Sequence, residues 1–173
     1  MRKSVFWLVV IFMGFLLVGC GPSFDEEGAQ VVEDYSNEII PAVEFAVYMV
    51  EVWAVDQTAD NFNDLYEAAL DIEDINAIYW ADDKIPSYDI DEWHIMMSRG
   101  DQEWEVVGEE LADAIYDVEW HSHWLAELMI ELYEAGGDVN VREEGIHLGD
   151  ALVTAMEHSM DAAADLRRVY FNR

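Results

Sequence analysis

Histidine is the side chain on which metal and haem centres are most often built. This chain carries five, His94, His121, His123, His147 and His158, amid 38 acidic residues. Glu144-Gly145-Ile146-His147 has the Glu-x-x-His spacing of di-iron helical proteins. On a helix that spacing puts carboxylate and imidazole on one face, a turn apart. A di-metal centre needs a second such motif and two further glutamates. The nearest match is Asp91-Glu92-Trp93-His94, with Asp in the first place and on a short segment. His121 and His123 stand roughly 200° apart around a helix, so they cannot hold one ion unless the helix breaks. His147 and His158 would be separated by about 16 Å along a helix, too far to share a metal. Zinc bound by three of the histidines finds no support in their spacing. The weak metal candidates are therefore His121, His147, Glu144 and His158, and no metal site is expected from them. A b-type haem could use Met49 and His121, but a core methionine is generally filler. Covalent haem is excluded, because no Cys-x-x-Cys-His occurs. A metal- or haem-binding bundle stands as the alternative reading, and no cofactor is expected.

Catalytic chemistry finds little footing. There is no Gly-x-Ser-x-Gly and no glycine-rich loop to cradle phosphate. Carboxylate pairs are so abundant that a glycosidase-like pair carries no information. Asp82-Asp83 and Asp89-Ile90-Asp91-Glu92 flank Pro86, yet they lack the glycine and the regular spacing of an EF-hand loop. Cys20 is the single cysteine, so no disulfide can form within the chain. The expectation is that the protein is not an enzyme. Trp120 and Trp124, on one flank of a helix, are the weak candidates for a binding surface, with Trp93 nearby in sequence. Packing between helices is their expected use.

Four stretches must position these side chains. Val32, Tyr35, Ile39, Ala42, Ala46, Met49 and Trp53 recur at steps of three and four. So do Phe62, Leu65, Ala69, Ile72, Asn76 and Tyr79. A third run reads Trp104, Val107, Leu111, Ala114, Val118, His121, Leu125, Leu128, Leu132. A fourth reads Leu148, Leu152, Ala155, Ser159, Ala162, Leu166, Val169. Each forms one stripe of an α-helix, with charge on the opposite face. Thr58 and Asp101 can cap the second and third helices, and Gly136-Gly137 can end the third with a left-handed residue. Asn140 and Glu143 have the spacing of a capping box for the fourth. Pro41 either kinks the first helix or marks a fresh start near Ile40. The β-branched cluster Val139 to Val141 is too short to predict a strand. The fold class expected is all-α: an antiparallel, up-down-up-down four-helix bundle. A short extra helix, Asp91 to Ser98, is expected between the second and third helices.

Composition excludes some partners. The formal net charge is −30, and no basic residue occurs from Ser4 to Asp83. Such a surface repels phosphate, so nucleic acid is not a partner. It also repels anionic lipid headgroups. The acidity is best read as a solvated face suited to saline or alkaline surroundings. With 53% hydrophobic and 13% aromatic residues, the chain is too apolar for a disordered acidic segment.

The first twenty residues carry a different signal. Arg2 and Lys3 precede an apolar run from Val5 to Leu17, which is too short to span a bilayer core of ~30 Å. Leu17-Val18-Gly19-Cys20 closes it. This arrangement resembles a bacterial lipoprotein signal peptide and lipobox. The resemblance implies cleavage after Gly19 and diacylglyceryl transfer to the Cys20 sulfur, giving the mature chain a membrane anchor of acyl chains such as palmitate. The expected organisation is a signal peptide over 1–19, a lipidated tether over 20–28 and an acidic helical domain over 29–173. The expected setting is extracytoplasmic, on the outer face of the cell membrane or on an outer membrane. The expected function is a non-catalytic binding or interaction module of the cell envelope. Its expected partners are the membrane, through Cys20, and an envelope protein.

Overall fold

The computed structural model describes residues 26–81, 102–143 and 146–171. Among these, helix α1 spans Glu26–Val55, α2 Ala59–Asn76, α3 Gln102–Glu134 and α4 Leu148–Phe171. The helices form an antiparallel bundle in which α1 packs on α2, α2 on α3, α3 on α4 and α4 back on α1. The diagonal pairs touch least, α2 with α4 less than α1 with α3, as expected for up-down-up-down order. The extra short helix over Asp91–Ser98, the Asp101 cap, the tether and Cys20 lie outside the described residues.

The stripes become the core. Val32, Tyr35, Ile39, Ala46, Met49 and Trp53 of α1 are buried, as are Leu65, Ala69 and Ile72 of α2. Leu111, Val118, Leu125 and Leu132 of α3 meet Leu148, Leu152, Leu166 and Val169 of α4 in the same cluster. Small residues on α4, Ala155, Ser159, Ala162 and Ala163, are buried too, so neighbouring backbones can approach closely. A buried polar chain crosses the bundle. The Tyr35 hydroxyl donates to Asn76 Oδ1 (3.0 Å). Asn76 Nδ2 donates to Ser122 Oγ (3.1 Å), and Ser122 Oγ donates to the Glu119 carbonyl (3.1 Å). Each of these side chains has a hydrogen-bond partner, which is what permits its burial.

The helix ends follow their residues. Thr58 Oγ1 accepts from the Asn61 amide (3.3 Å), the expected N-cap of α2. At the end of α3, the Gly137 amide donates to the Leu132 carbonyl (2.9 Å) and the Gly136 amide to that of Tyr133 (3.0 Å). That pair of bonds is a Schellman motif, with Gly136 at φ +62° in its left-handed position. Trp53, Phe62, Tyr133 and Tyr66 stack in succession near this end, at centroid separations of 5.9, 4.8 and 4.2 Å. Pro41 lies inside α1 without starting a new helix, and its ring is on the exposed side. Past Asn76, α2 runs into a π-helical turn, Ala77–Ala81, which holds Tyr79 in the core.

One expectation near α4 is corrected. Asn140 and Glu143 do not form a capping box, because α4 begins only at Leu148. The intervening chain pairs instead as two short antiparallel strands, β1 (Arg142–Glu143) and β2 (Ile146–His147). The first amides of α4 find backbone acceptors. Leu148 donates to the Val141 carbonyl (3.0 Å) and Gly149 to that of Val139 (3.1 Å). Val139 and Val141, too few to build a strand of their own, thus hold a segment whose carbonyls do the capping.

Candidate functional site

α3 carries Trp120, His121, His123, Trp124 and Glu127 within two turns, and α4 brings His158 to the same place. Together these six line a half-open cavity of about 340 Å³. Helical spacing explains the α3 contribution. Trp120 and Trp124 are four apart and share a flank, and Glu127 continues it one turn later. Trp120 is 58% exposed at the rim. Trp124 is half-buried and packs against the core.

The contribution from α4 depends on close helix approach. Ser159 Oγ donates to the His121 carbonyl (2.8 Å), a contact that only a small side chain allows. Its neighbour His158 is thereby set over His121, with ring centroids 5.1 Å apart and edge-on. The same ring lies 6.3 Å from Trp124. His121 Nδ1 is buried and has no hydrogen-bond partner among the described residues. Burial, then the nearby His158, hold the His121 pKa below its ordinary value, against a smaller opposing pull from Asp117. His121 is therefore a neutral, hydrophobically placed imidazole at pH 7.

His123 lines the cavity on its α2 side. Its Nδ1 lies 2.6 Å from Glu73 Oε1 of α2, and its Nε2 3.4 Å from Glu127 Oε1. Both nearby carboxylates are thus turned toward one ring. Glu119, a turn earlier, has its pKa pushed up by burial and by Glu73, with His123 opposing. Beneath this flank runs the Tyr35–Asn76–Ser122 chain, which fixes α3 against α1 and α2.

The sequence candidates divide accordingly. Trp120, Trp124, His121 and His158 converge on one groove. Packing between helices accounts for Trp124 but not for Trp120, whose exposure corrects that expectation. His147 is elsewhere, in β2. The Glu144-x-x-His147 motif is therefore not a helical one-face pair, because its histidine precedes α4 in extended backbone. Nor do His147 and His158 share a helix. Glu144 and His94 lie outside the described residues. Met49 is buried in the core and does not line the groove with His121. Among the described residues no group of three or more His, Cys, Asp or Glu is placed to hold a metal ion.

Sequence reasoning passed over Glu127, Glu73 and the His121–His158 contact. The His123–Glu127 pair is visible as an i, i+4 spacing. Glu73 reaches His123, and His158 the groove, only through the packing of α2 and α4 on α3. Chemically the site offers indole faces, imidazoles and a carboxylate rim, the components of a recognition surface. No helix of the described residues is long and apolar enough to cross a membrane. No protein-family model matches the chain, and no curated protein or solved structure is significantly similar to it.

Proposed function

We propose that this protein is a lipid-anchored, extracytoplasmic binding module of the cell envelope, tethered through Cys20 and using the α3–α4 groove as its non-catalytic recognition site. The observation that carries the binding part is Trp120, a large indole left 58% exposed beside a cavity, on a chain whose formal charge is −30. Large aromatic side chains are hot spots of recognition because they bury much area with few torsions. The lipobox-like Leu17-Val18-Gly19-Cys20 supports the anchor. Among the described residues no serine, threonine or cysteine lines the groove, so it offers no hydroxyl or thiol nucleophile for acyl transfer.

Two experiments test this reading. Cells fed labelled palmitate should yield a labelled, membrane-sedimenting protein, and Cys20→Ala should lose both label and sedimentation. A native protein that keeps Met1 and carries no lipid would refute the anchor. A thermal-shift screen of envelope components and small molecules should find ligands that raise the melting temperature of the native protein but not of Trp120→Ala. Binding at 100 times Kd adds about 2.7 kcal/mol of stability, an easily read shift. Turnover of a substrate by the purified protein would overturn the non-catalytic assignment.

A further inference from the structure

We propose that the groove binds a small organic cation of the quaternary-ammonium class, held against the indole faces of Trp120 and Trp124 inside the acidic field of Glu127 and Glu73. This rests on the binding-site reading above and names its ligand.

Four observations converge. First, tryptophan is the best of the aromatic residues at attracting a cation over its face. Two stand here one turn apart, one of them more than half exposed. Second, the charge around the groove is negative. Glu127 lines it and Glu73 lies behind His123, while neither lysine nor arginine is among the lining residues. Third, Glu73 is already engaged by His123 at 2.6 Å, which leaves Glu127, 3.4 Å from the other ring nitrogen, as the one carboxylate on the groove lining. One carboxylate and two indole faces cannot replace the strong hydration of a primary ammonium, which favours a cation without N–H donors. Fourth, a volume of about 340 Å³ is at the small end of ligand pockets, suited to a compact head group rather than a large cofactor.

The half-buried His121 and the exposed His158, edge-on to it, complete the lining, and the unpartnered His121 Nδ1 suits a neutral ring that does not repel a cation. A free cation fits better than a phosphocholine headgroup, because the phosphate would enter the field of a chain carrying −30.

Calorimetric titration of the full-length protein in a nonionic detergent tests the assignment. Choline chloride should bind saturably. 3,3-Dimethylbutan-1-ol, its neutral carbon analogue, should bind at least tenfold more weakly, and phosphocholine should also bind more weakly than choline. Trp120→Ala should weaken choline at least tenfold, with Trp120→Phe between it and the native protein. Glu127→Gln should weaken it several-fold. Both side chains are exposed, so unchanged circular dichroism would show that the fold is intact. Equal binding of choline and its neutral analogue would overturn the cation assignment while leaving an apolar binding groove standing. Tighter binding of phosphocholine would overturn the free cation in favour of a headgroup. Choline binding unaffected by Trp120→Ala would place it away from this groove and overturn the assignment. No binding by any of the three would overturn it too, while hits in the thermal-shift screen that depend on Trp120 would still support the groove.

Discussion

His121 and Glu119 lie two residues apart on α3 and respond to acid in opposite senses. The folded chain holds the His121 pKa below the ordinary value, so the unfolded chain takes up a proton first as pH falls. The stability due to neutral His121 is present above its unfolded pKa of about 6.5 and is lost as pH falls through the lower folded value. Glu119 has a raised folded pKa, so acidification just above the ordinary carboxylate range favours the fold. A His121→Gln variant keeps the second effect and removes the first. Between pH 7.5 and 5, chemical denaturation should show the native protein losing more stability than this variant; equal losses would refute a neutral, desolvated His121. Tyr79 governs the alkaline side. Burial first, then its hydrogen bond to Glu38 (3.0 Å) and the charges of Glu38 and Asp34, push its pKa up to about 12. Its contribution is present below the ordinary phenol value near 10 and is lost as pH rises toward about 12. Tyr79→Phe should cost about 1 kcal/mol at pH 8, and the difference from the native protein should shrink by pH 11.5 in the same measurement.

At the scale of elements, the glycine pair ending α3 gives a graded test. Gly136 (φ +62°) has nothing within 4 Å of where a Cβ would stand. Gly137 (φ +84°) would bring its Cβ to 3.1 Å from Trp53 Cζ2, a ring already held by stacking on Phe62. Gly136→Ala should cost about 1–2 kcal/mol from the left-handed backbone alone. Gly137→Ala should cost more, seen as the larger drop in melting temperature; the reverse order would contradict the packing at this end. The residues show this turn plainly, because two adjacent glycines after an apolar stripe have few other uses. The start of α4 is less readable. Asn140 and Glu143 have the right types and spacing for a cap, but Val139 and Val141 supply backbone acceptors that sequence spacing does not reveal. The same limit applies to the groove. Trp120, Trp124 and Glu127 can be placed on one flank from α3 alone, whereas Glu73 and His158 come from other helices.

For the whole molecule, self-repulsion is the charge effect most open to change by solution conditions. A formal charge of −30 with only 8 basic residues leaves few ion pairs to offset it. The arginine pairs among the described residues, Arg167 with Glu44 (2.8 Å) and Arg168 with Asp165 (3.2 Å), are solvated and worth little. Raising NaCl from 10 mM to 1 M shortens the Debye length from about 30 to about 3 Å. The melting temperature should rise across that range, and a fall would refute repulsion as the dominant charge effect. The amino-acid order alone determined the helical class, the core stripes and the Thr58 and Gly136 boundaries. These depend on spacing along one helix or on composition, which are local or additive. Only the tertiary structure decided that His158 lies on His121, that Glu73 pairs with His123, and that Trp120 stays in solvent while Trp124 packs. Those outcomes depend on how far one helix slides and rotates against the next. That registry is set by the whole core at once, through small residues such as Ser159 and the buried Tyr35–Asn76–Ser122 chain.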